Sequence, residues 1–447
     1  MSFVNENSPV VALPELEVFE TVPVQTSIED TVVEELIPLS QLNSGGYIEF
    51  IIKTAENEFI RPIDTLLQTR FRVKLMKSDN SAVTDEDWKS VSIINNPGDS
   101  LFQQVDVSIG EQQTTKPLHT HAYKSYIYTL LNSPQEAKNT FLKLRGFEED
   151  DFSVFNSNKP NEKRQELIRW KSGDKTLGRV CEFWTPIIVD LFQQGKDLIG
   201  GITVKIRLIP NRPEHFFMVT DGTKILPSVI FEDIYLHVKQ RSINGDVTLG
   251  VLQGLQISPA KYPINRVEVR SHTIDQGTTT RNLENIYIGT APRRVYVCFV
   301  NNEAYSGSYT KNPFYFQHYD IASIACFVNS EMIGRRPYKP DYDLNYFGRE
   351  YINFLRIAGQ YNNGILTTIT PEQYKNGYTI FAFDLTRDNS QGFLKSGYID
   401  PPKKFSHLRF NITFKKALPE TISAVIYSEW DDLILIDSMK NAIVAGD

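Results

Sequence analysis

The sequence is short of cysteine, of long apolar runs and, at one end, of any basic residue. Cys181, Cys298 and Cys326 are the only cysteines among 447 residues. They are odd in number, far apart and set in apolar, strand-like surroundings, which argues against a disulfide scaffold and predicts buried reduced thiols. Apolar runs stop at the length of Val295–Val300, far below the ~20 residues of a membrane span. The opening MSFVNENSPVV has no basic stretch leading into an apolar one, so no secretory leader is expected. Residues 1–52 hold nine acids and no Lys or Arg, so the rest of the chain carries 47 bases against 45 acids, a balance of +2 within a total of −7. A near-neutral body excludes a nucleic-acid condenser, which shows itself as a basic surplus. What is present is core material: 41% apolar residues, with 27 Phe and 21 Tyr.

Residues 1–45 read as an extended acidic arm. Pro9, Pro14, Pro23 and Pro38 interrupt regular structure, while Leu16, Phe19, Val22 and Ile28 make the segment too apolar for a free tail. From residue 46 the dominant signal is alternation with period two, the mark of half-buried strands. It runs through Arg70–Leu75, through Val105, Val107 and Ile109, through Ile202–Leu208 and through Leu408–Phe414. Asn95-Asn96-Pro97-Gly98, Asn244-Gly245, Asn363-Gly364 and Asn376-Gly377 supply turn signals between the runs. Helices are few, with one expected over Ala122–Leu131 and another near Asn345–Arg356.

Those two helices share a string, Tyr126-Ile127-x-x-Leu130 and Tyr351-Ile352-x-x-Leu355, 225 residues apart, and each follows a similar strand and turn. The strands after them, from Ile202 and Leu408, lie 206 apart, and the difference fits a longer polar connection in the first half, Lys159–Lys175. The chain therefore reads as all-β: two tandem eight-stranded antiparallel jelly rolls with a few short helices and an extended N-terminal arm. The expected boundaries are 1–45 for the arm, 46–244 for the first roll and 245–447 for the second, with 245–260 as linker and 438–447 as tail.

Catalytic signatures are missing: there is no GxGxxG, GxxxxGK[ST], HExxH, GxSxG or CxxC. His119-Thr120-His121 has the HxH form of a metal pair, but no Glu follows at cupin spacing, and surface or loop histidines are expected. Glu148-Glu149-Asp150-Asp151 and Asp341-Tyr342-Asp343 read as solvated loop acids. Lys163, Arg164, Arg169 and Lys171 read as a salt-bridged surface, and Arg293-Arg294, Arg335-Arg336, Lys403-Lys404 and Lys415-Lys416 as solvated strand ends and loops. Any of these basic pairs could instead face DNA or an acidic partner, such as the arm of a neighbouring copy. No catalytic residue, metal or cofactor is expected.

Several strings carry a resemblance. Glu20-Thr21-Val22-Pro23-Val24-Gln25-Thr26-Ser27-Ile28, Ser100-Leu101-Phe102-Gln103-Gln104-Val105-Asp106-Val107-Ser108 and Tyr126–Asn132 are similar to the major capsid proteins of Polinton/Maverick elements and adintovirus-like viruses. So are Gly307–Phe314, Asn376–Thr386 and the stretch from Leu418 to Leu433. The charge-rich segment Gly146–Lys175 does not align and reads as a variable loop.

The resemblance implies a vertical double jelly-roll capsid protein that trimerises into pseudo-hexagonal capsomers and tiles an icosahedral shell around double-stranded DNA. It implies penton and minor capsid proteins as further partners, DNA contact only indirectly, no membrane span, and a place in the virion after synthesis in the host cytoplasm. The arm residues Phe19, Val22, Pro23, Gln25, Thr26, Ser27 and Ile28 are the candidate subunit-interaction site. A tandem jelly-roll lectin would call for a leader, disulfides or a calcium loop, and a bicupin enzyme for a closed set of histidines and a carboxylate; neither pattern is evident.

Overall fold

The computed structural model describes residues 16, 18–19, 21–40, 46–150, 161–361, 369–389, 397 and 406–444. Glu20, Asp151, the Asn363-Gly364 turn and Lys403-Lys404 lie outside the described residues.

Strands up to Ile243 build one pair of sheets and strands from Ala260 build another. The first set comprises β1 (Ile28–Leu36), β2 (Ile48–Lys53), β3 (Glu58–Lys77), β4 (Val91–Ile93), β5 (Phe102–Ile109), β6 (Gln112–Gln113), β7 (Cys181–Pro186), β8 (Thr203–Pro210), β9 (Phe217–Val219) and β10 (Ile225–Ile243). The second comprises β11 (Ala260–Ile274), β12 (Thr280–Gly289), β13 (Arg294–Asn301), β14 (Ile321–Val328), β15 (Glu331–Met332), β16 (Phe381–Asp384), β17 (Ser406–Phe414), β18 (Ile422–Ile436) and β19 (Ala442–Val444).

The sheet orders are β1-β10-β3-β7 with β2-β8-β5-β6, and β11-β18-β13-β16 with β12-β17-β14-β15. Leaving out the small β4–β9 pair and β19, both sets follow one rule: first strand beside last, last beside third, third beside sixth, and second, seventh, fourth and fifth in the facing sheet. All the strand pairs are antiparallel. This is an eight-stranded jelly roll made twice. Period-two alternation is why it was readable: Val105, Val107 and Ile109 of β5, Val204, Ile206 and Leu208 of β8, and Phe410 and Ile412 of β17 all enter the core, while the residues between them face outward.

Three segments expected as arm, linker and tail hold regular elements. β1 lies within the expected arm, yet it pairs with β10 from Ile28↔Ile243 to Leu36↔Leu236 and is the first strand of the first roll. The expected linker is a helix, Gly245–Ile257, opened by Asn244, whose side chain accepts from the Asp246 amide at 2.9 Å. The expected tail residues 442–444 form β19, which pairs with β18.

The expected helices are His121–Asn132 and Gly348–Ile357, each between the fifth and sixth strands of its roll. A further helix, Glu162–Ile168, stands in the segment expected to be a solvated variable loop. It is pinned by Arg164, which is 2% exposed and donates to Asp150 at 2.5 Å and to the Ile93 carbonyl at 3.0 Å. Asp150 and Arg164 are thus a buried ion pair rather than surface charges. The three cysteines are buried free thiols. Among the described residues no helix is long and apolar enough to cross a membrane.

Candidate functional site

The two rolls meet along a seam built by the His121–Asn132 helix. Its buried side presents Tyr123 and Tyr126 to residues 302–320, the connection between β13 and β14. Tyr126 stacks on Phe314 with ring centroids 4.1 Å apart, and Tyr123 stacks on Tyr305 at 5.3 Å. Burial pushes both phenols well above their ordinary range. These rings are packing elements and not acid–base groups.

A second part of the seam is polar. The groove between β5, the segment 114–120, the start of the helix and residues 188–190 receives strand β11. Lys116 Nζ reaches Glu268 at 2.7 Å, and the Thr120 hydroxyl donates to the Val269 carbonyl at 3.4 Å. Lys124 Nζ meets Asp190 at 2.6 Å, and the other oxygen of that carboxylate accepts from the Val267 amide at 3.2 Å. Farther along, Gln360 Nε2 donates to the Leu131 carbonyl at 2.7 Å, and the Tyr262 hydroxyl accepts from the Ile199 amide at 3.1 Å. Only about 40 Å³ is left open where β11 lies in the groove. Removing one partner of the largely buried Lys124–Asp190 pair costs about 3–5 kcal/mol, whereas the half-exposed Lys116 is screened by solvent and its pair is worth less.

The basic pairs divide. Arg293 donates to Glu429 at 2.9 Å and to Asp431 at 3.0 Å, and Arg294 lies 3.6 Å from Asp384, all five side chains being largely buried. They are core ion pairs on the second roll, not the solvated strand ends expected. Lys415 is exposed and holds Asp341 at 2.8 Å and Asp343 at 3.2 Å. Arg335 and Arg336 are exposed after β15.

His119 and His121 do not converge: His119 is exposed at φ 53°, whereas His121 is buried in the first turn of its helix, correcting the expectation of a surface pair. Burial, with the Lys124 and Arg145 charges, pushes the His121 imidazole down to about 3. Among the described residues no three His, Cys, Asp or Glu side chains gather as a metal site. Burial also pushes the Cys181 thiol up to about 11, which makes it a poor nucleophile.

The arm residues separate into two groups. Gln25, Ser27 and Ile28 sit where β1 begins: Gln25 and Ile28 exchange hydrogen bonds at 3.1 and 3.2 Å, and the Asn244 amide donates to the Ser27 carbonyl at 2.9 Å. One residue, Asn244, therefore anchors the start of the chain and caps the Gly245–Ile257 helix. Phe19, Val22, Pro23 and Thr26 stand exposed, Phe19 at 96%. Exposed apolar side chains continue along the edge with Val32, Val33, Ile37 and Leu39. Lys116, Lys124, Asp190 and Glu268 had no sequence signal, since Lys116 and Glu268 meet only through the folding of two rolls onto one another, and Lys124 and Asp190 through the folding of distant segments within the first.

Two jelly rolls of one topology, fused side by side through a helix and a buried edge strand, define the double jelly-roll class, and the chain has the fold of viral capsid proteins of that class. It superposes on a chain of the Sputnik virophage with a TM-score of 0.68, at 11% identity, over 99% of this chain and 94% of that one. The Faustovirus major capsid protein matches with a TM-score of 0.58, at 8% identity, over 96% of this chain and 95% of that one. For the mavirus major capsid protein the TM-score is 0.51, at 10% identity, over 99% and 96%. At such identities the likeness is one of fold. In sequence, an uncharacterized protein of Caenorhabditis elegans, F54H12.2, is 25% identical over 416 residues, 89% of this chain and 93% of that protein. No model of a known protein family matches the chain.

Proposed function

We propose that the chain is a major capsid subunit of a virus or virus-like element of the Polinton/Maverick and adintovirus type, with a structural and not a catalytic role. The observation that carries this reading is the exact repetition of one strand order in two rolls locked into a single block. Three such blocks present six similar lobes, and that is what allows a trimer to fill a near-hexagonal position in an icosahedral shell. The rolls span 28–243 and 260–444, and the segment before Ile28 serves as a strap to neighbouring subunits. Phe19, Val22, Pro23 and Thr26 engage neighbouring subunits, while Gln25, Ser27 and Ile28 fix the point from which the strap departs.

A body with a balance of +2 favours close packing of like subunits, because strong self-repulsion would oppose assembly. Penton and minor capsid proteins complete the shell, and the DNA is reached through other, more basic proteins. Synthesis in the host cytoplasm and residence in the virion follow from this role. Sedimentation velocity on the full chain tests it. The expected particle has three times the 51.2 kDa chain mass and builds larger shells at higher concentration. A strict monomer at every concentration would overturn the reading.

A further inference from the structure

The two rolls carry the same groove, filled in one and open in the other. In the first roll it lies between β5, the segment after β6, the His121–Asn132 helix and the residues after β7, and β11 of the second roll fills it. The equivalent elements of the second roll are β14, the segment after β15, the Gly348–Ile357 helix and the end of β16. They line a groove of about 660 Å³ that includes Ala325, Ile333, Tyr338, Asn353 and Leu385. Among the described residues, the intramolecular junction therefore has a counterpart in the second roll that no strand fills.

The strand positions show the same asymmetry. β11, the first strand of the second roll, is buried continuously from Arg266 to Val269 because it is covered by the first roll. β1 is the first strand of the first roll, and it is open along most of its length, with Val33 at 59% exposure. An edge strand of this kind presents unpaired backbone groups and apolar side chains, which natural folds cover.

Charge decides between possible occupants. Arg336, Arg349 and Arg356 surround the open groove, against Glu331 and Asp384, and Asp384 is already held by Arg294. Arg349 donates to the Pro337 and Arg336 carbonyls and feels the neighbouring Glu350 carboxylate, and Arg356 lies over the Tyr361 ring. β1 carries Glu29, Asp30, Glu34 and Glu35 and no base. At the filled junction one pair has this sense, Lys116 of the groove meeting Glu268 of the strand at 2.7 Å, while β11 also carries Lys261, Arg266 and Arg270.

We propose that the groove of the second roll receives β1 of a second copy of this chain, in the manner in which the first roll receives β11. The contact is head-to-tail: each copy offers its groove to one neighbour and its strand to another, so three copies close a ring in which three internal junctions alternate with three between copies. This rests on the capsid reading and names the surface by which its trimer forms.

Charge reversal in the full-length protein tests it by sedimentation velocity. Arg336→Glu with Arg356→Glu, both on exposed side chains, is expected to weaken trimer formation at least about tenfold. Glu34→Lys with Glu35→Lys is expected to do the same, and the four changes together to restore much of the association. Unchanged thermal midpoints establish that each variant is folded. Trimers that form equally well with the groove reversed, or a four-fold variant no better than its parents, would overturn this interface and leave the capsid reading intact. An unmodified chain that never trimerises would overturn both.

Discussion

Arg164 ties three segments of the first roll to one guanidinium. Its Nε donates to the Ile93 carbonyl at 3.0 Å, one terminal nitrogen donates to the Glu148 carbonyl at 3.1 Å, and the other meets Asp150 at 2.5 Å. Its backbone amide is capped by Asn161. Replacing it with Leu leaves the Asp150 carboxylate buried without its counter-charge, a loss of about 3–5 kcal/mol. Lys163→Leu next to it touches an exposed side chain 3.8 Å from Glu148 and is expected to cost within about 0.5 kcal/mol. Urea denaturation of the two variants checks the contrast, and equal losses would refute the buried-pair account. His121 carries a pH effect of definite sign. Its folded pKa is about 3 against an ordinary 6.5, so the unfolded chain takes up the proton first as pH falls. The stability it contributes is complete above 6.5 and drains away between 6.5 and 3, reaching a loss of about 3 kcal/mol near pH 4.5. His121→Gln should flatten the acid limb of the stability curve by about that amount, and an unchanged slope would disprove the assignment.

At the scale of elements, β1 separates two deletions that would look alike on the sequence. Removing residues 1–26 leaves β1 and its pairing with β10 in place and should move the thermal midpoint by less than about 2 °C. Removing residues 1–40 strips β1 from β10 and bares a long edge, so a fall of more than about 5 °C with aggregation is expected. Differential scanning calorimetry with light scattering reads both, and indistinguishable truncations would show that β1 is not a working strand. This element also marks where sequence reading stops. β5, β8 and β17 were legible because one face of each enters a core, which writes apolar and polar residues alternately. β1 borders solvent on most of its surface, so IEDTVVEEL shows no such alternation and reads as arm. The Gly245–Ile257 helix was hidden by Gly245, Gly250 and Gly254 and by an Asn-Gly pair that serves as a cap rather than a turn. Arg164 and Asp150 were visible as charges, but a pairing depends on where two segments meet, and composition carries no trace of it. The duplication was legible through the Tyr-Ile-x-x-Leu string, whereas the seam between the copies was not, because its partners come from different rolls.

For the molecule as a whole, the question is whether two rolls of one topology behave as one body. Each has its own pair of sheets, and a roll of about 200 residues can bury a core by itself. The seam argues for a single cooperative unit, because Tyr126 and Phe314 are buried between the rolls and the Lys116–Glu268 and Lys124–Asp190 pairs brace the β11 groove. Opening the seam would expose the stacked rings and leave the charges without their arrangement, so the rolls should unfold together. Tyr126→Ala removes a large buried ring, at a cost of about 3–5 kcal/mol. That loss falls on the coupling between the rolls more than on either sheet pair. The unmodified chain should therefore melt in one calorimetric transition and the Tyr126→Ala chain in two, the first belonging to one roll and the second to the other. A fully buried ring within one roll, Phe410, is the control, since Phe410→Ala should lower the midpoint of a transition that stays single or splits only weakly. If Tyr126→Ala lowered the midpoint without dividing the transition, the rolls would be coupled elsewhere and the ring stack would be ordinary core. A divided transition would mean that the rigidity of the chain is held at the seam, where a few side chains decide whether two rolls act as one.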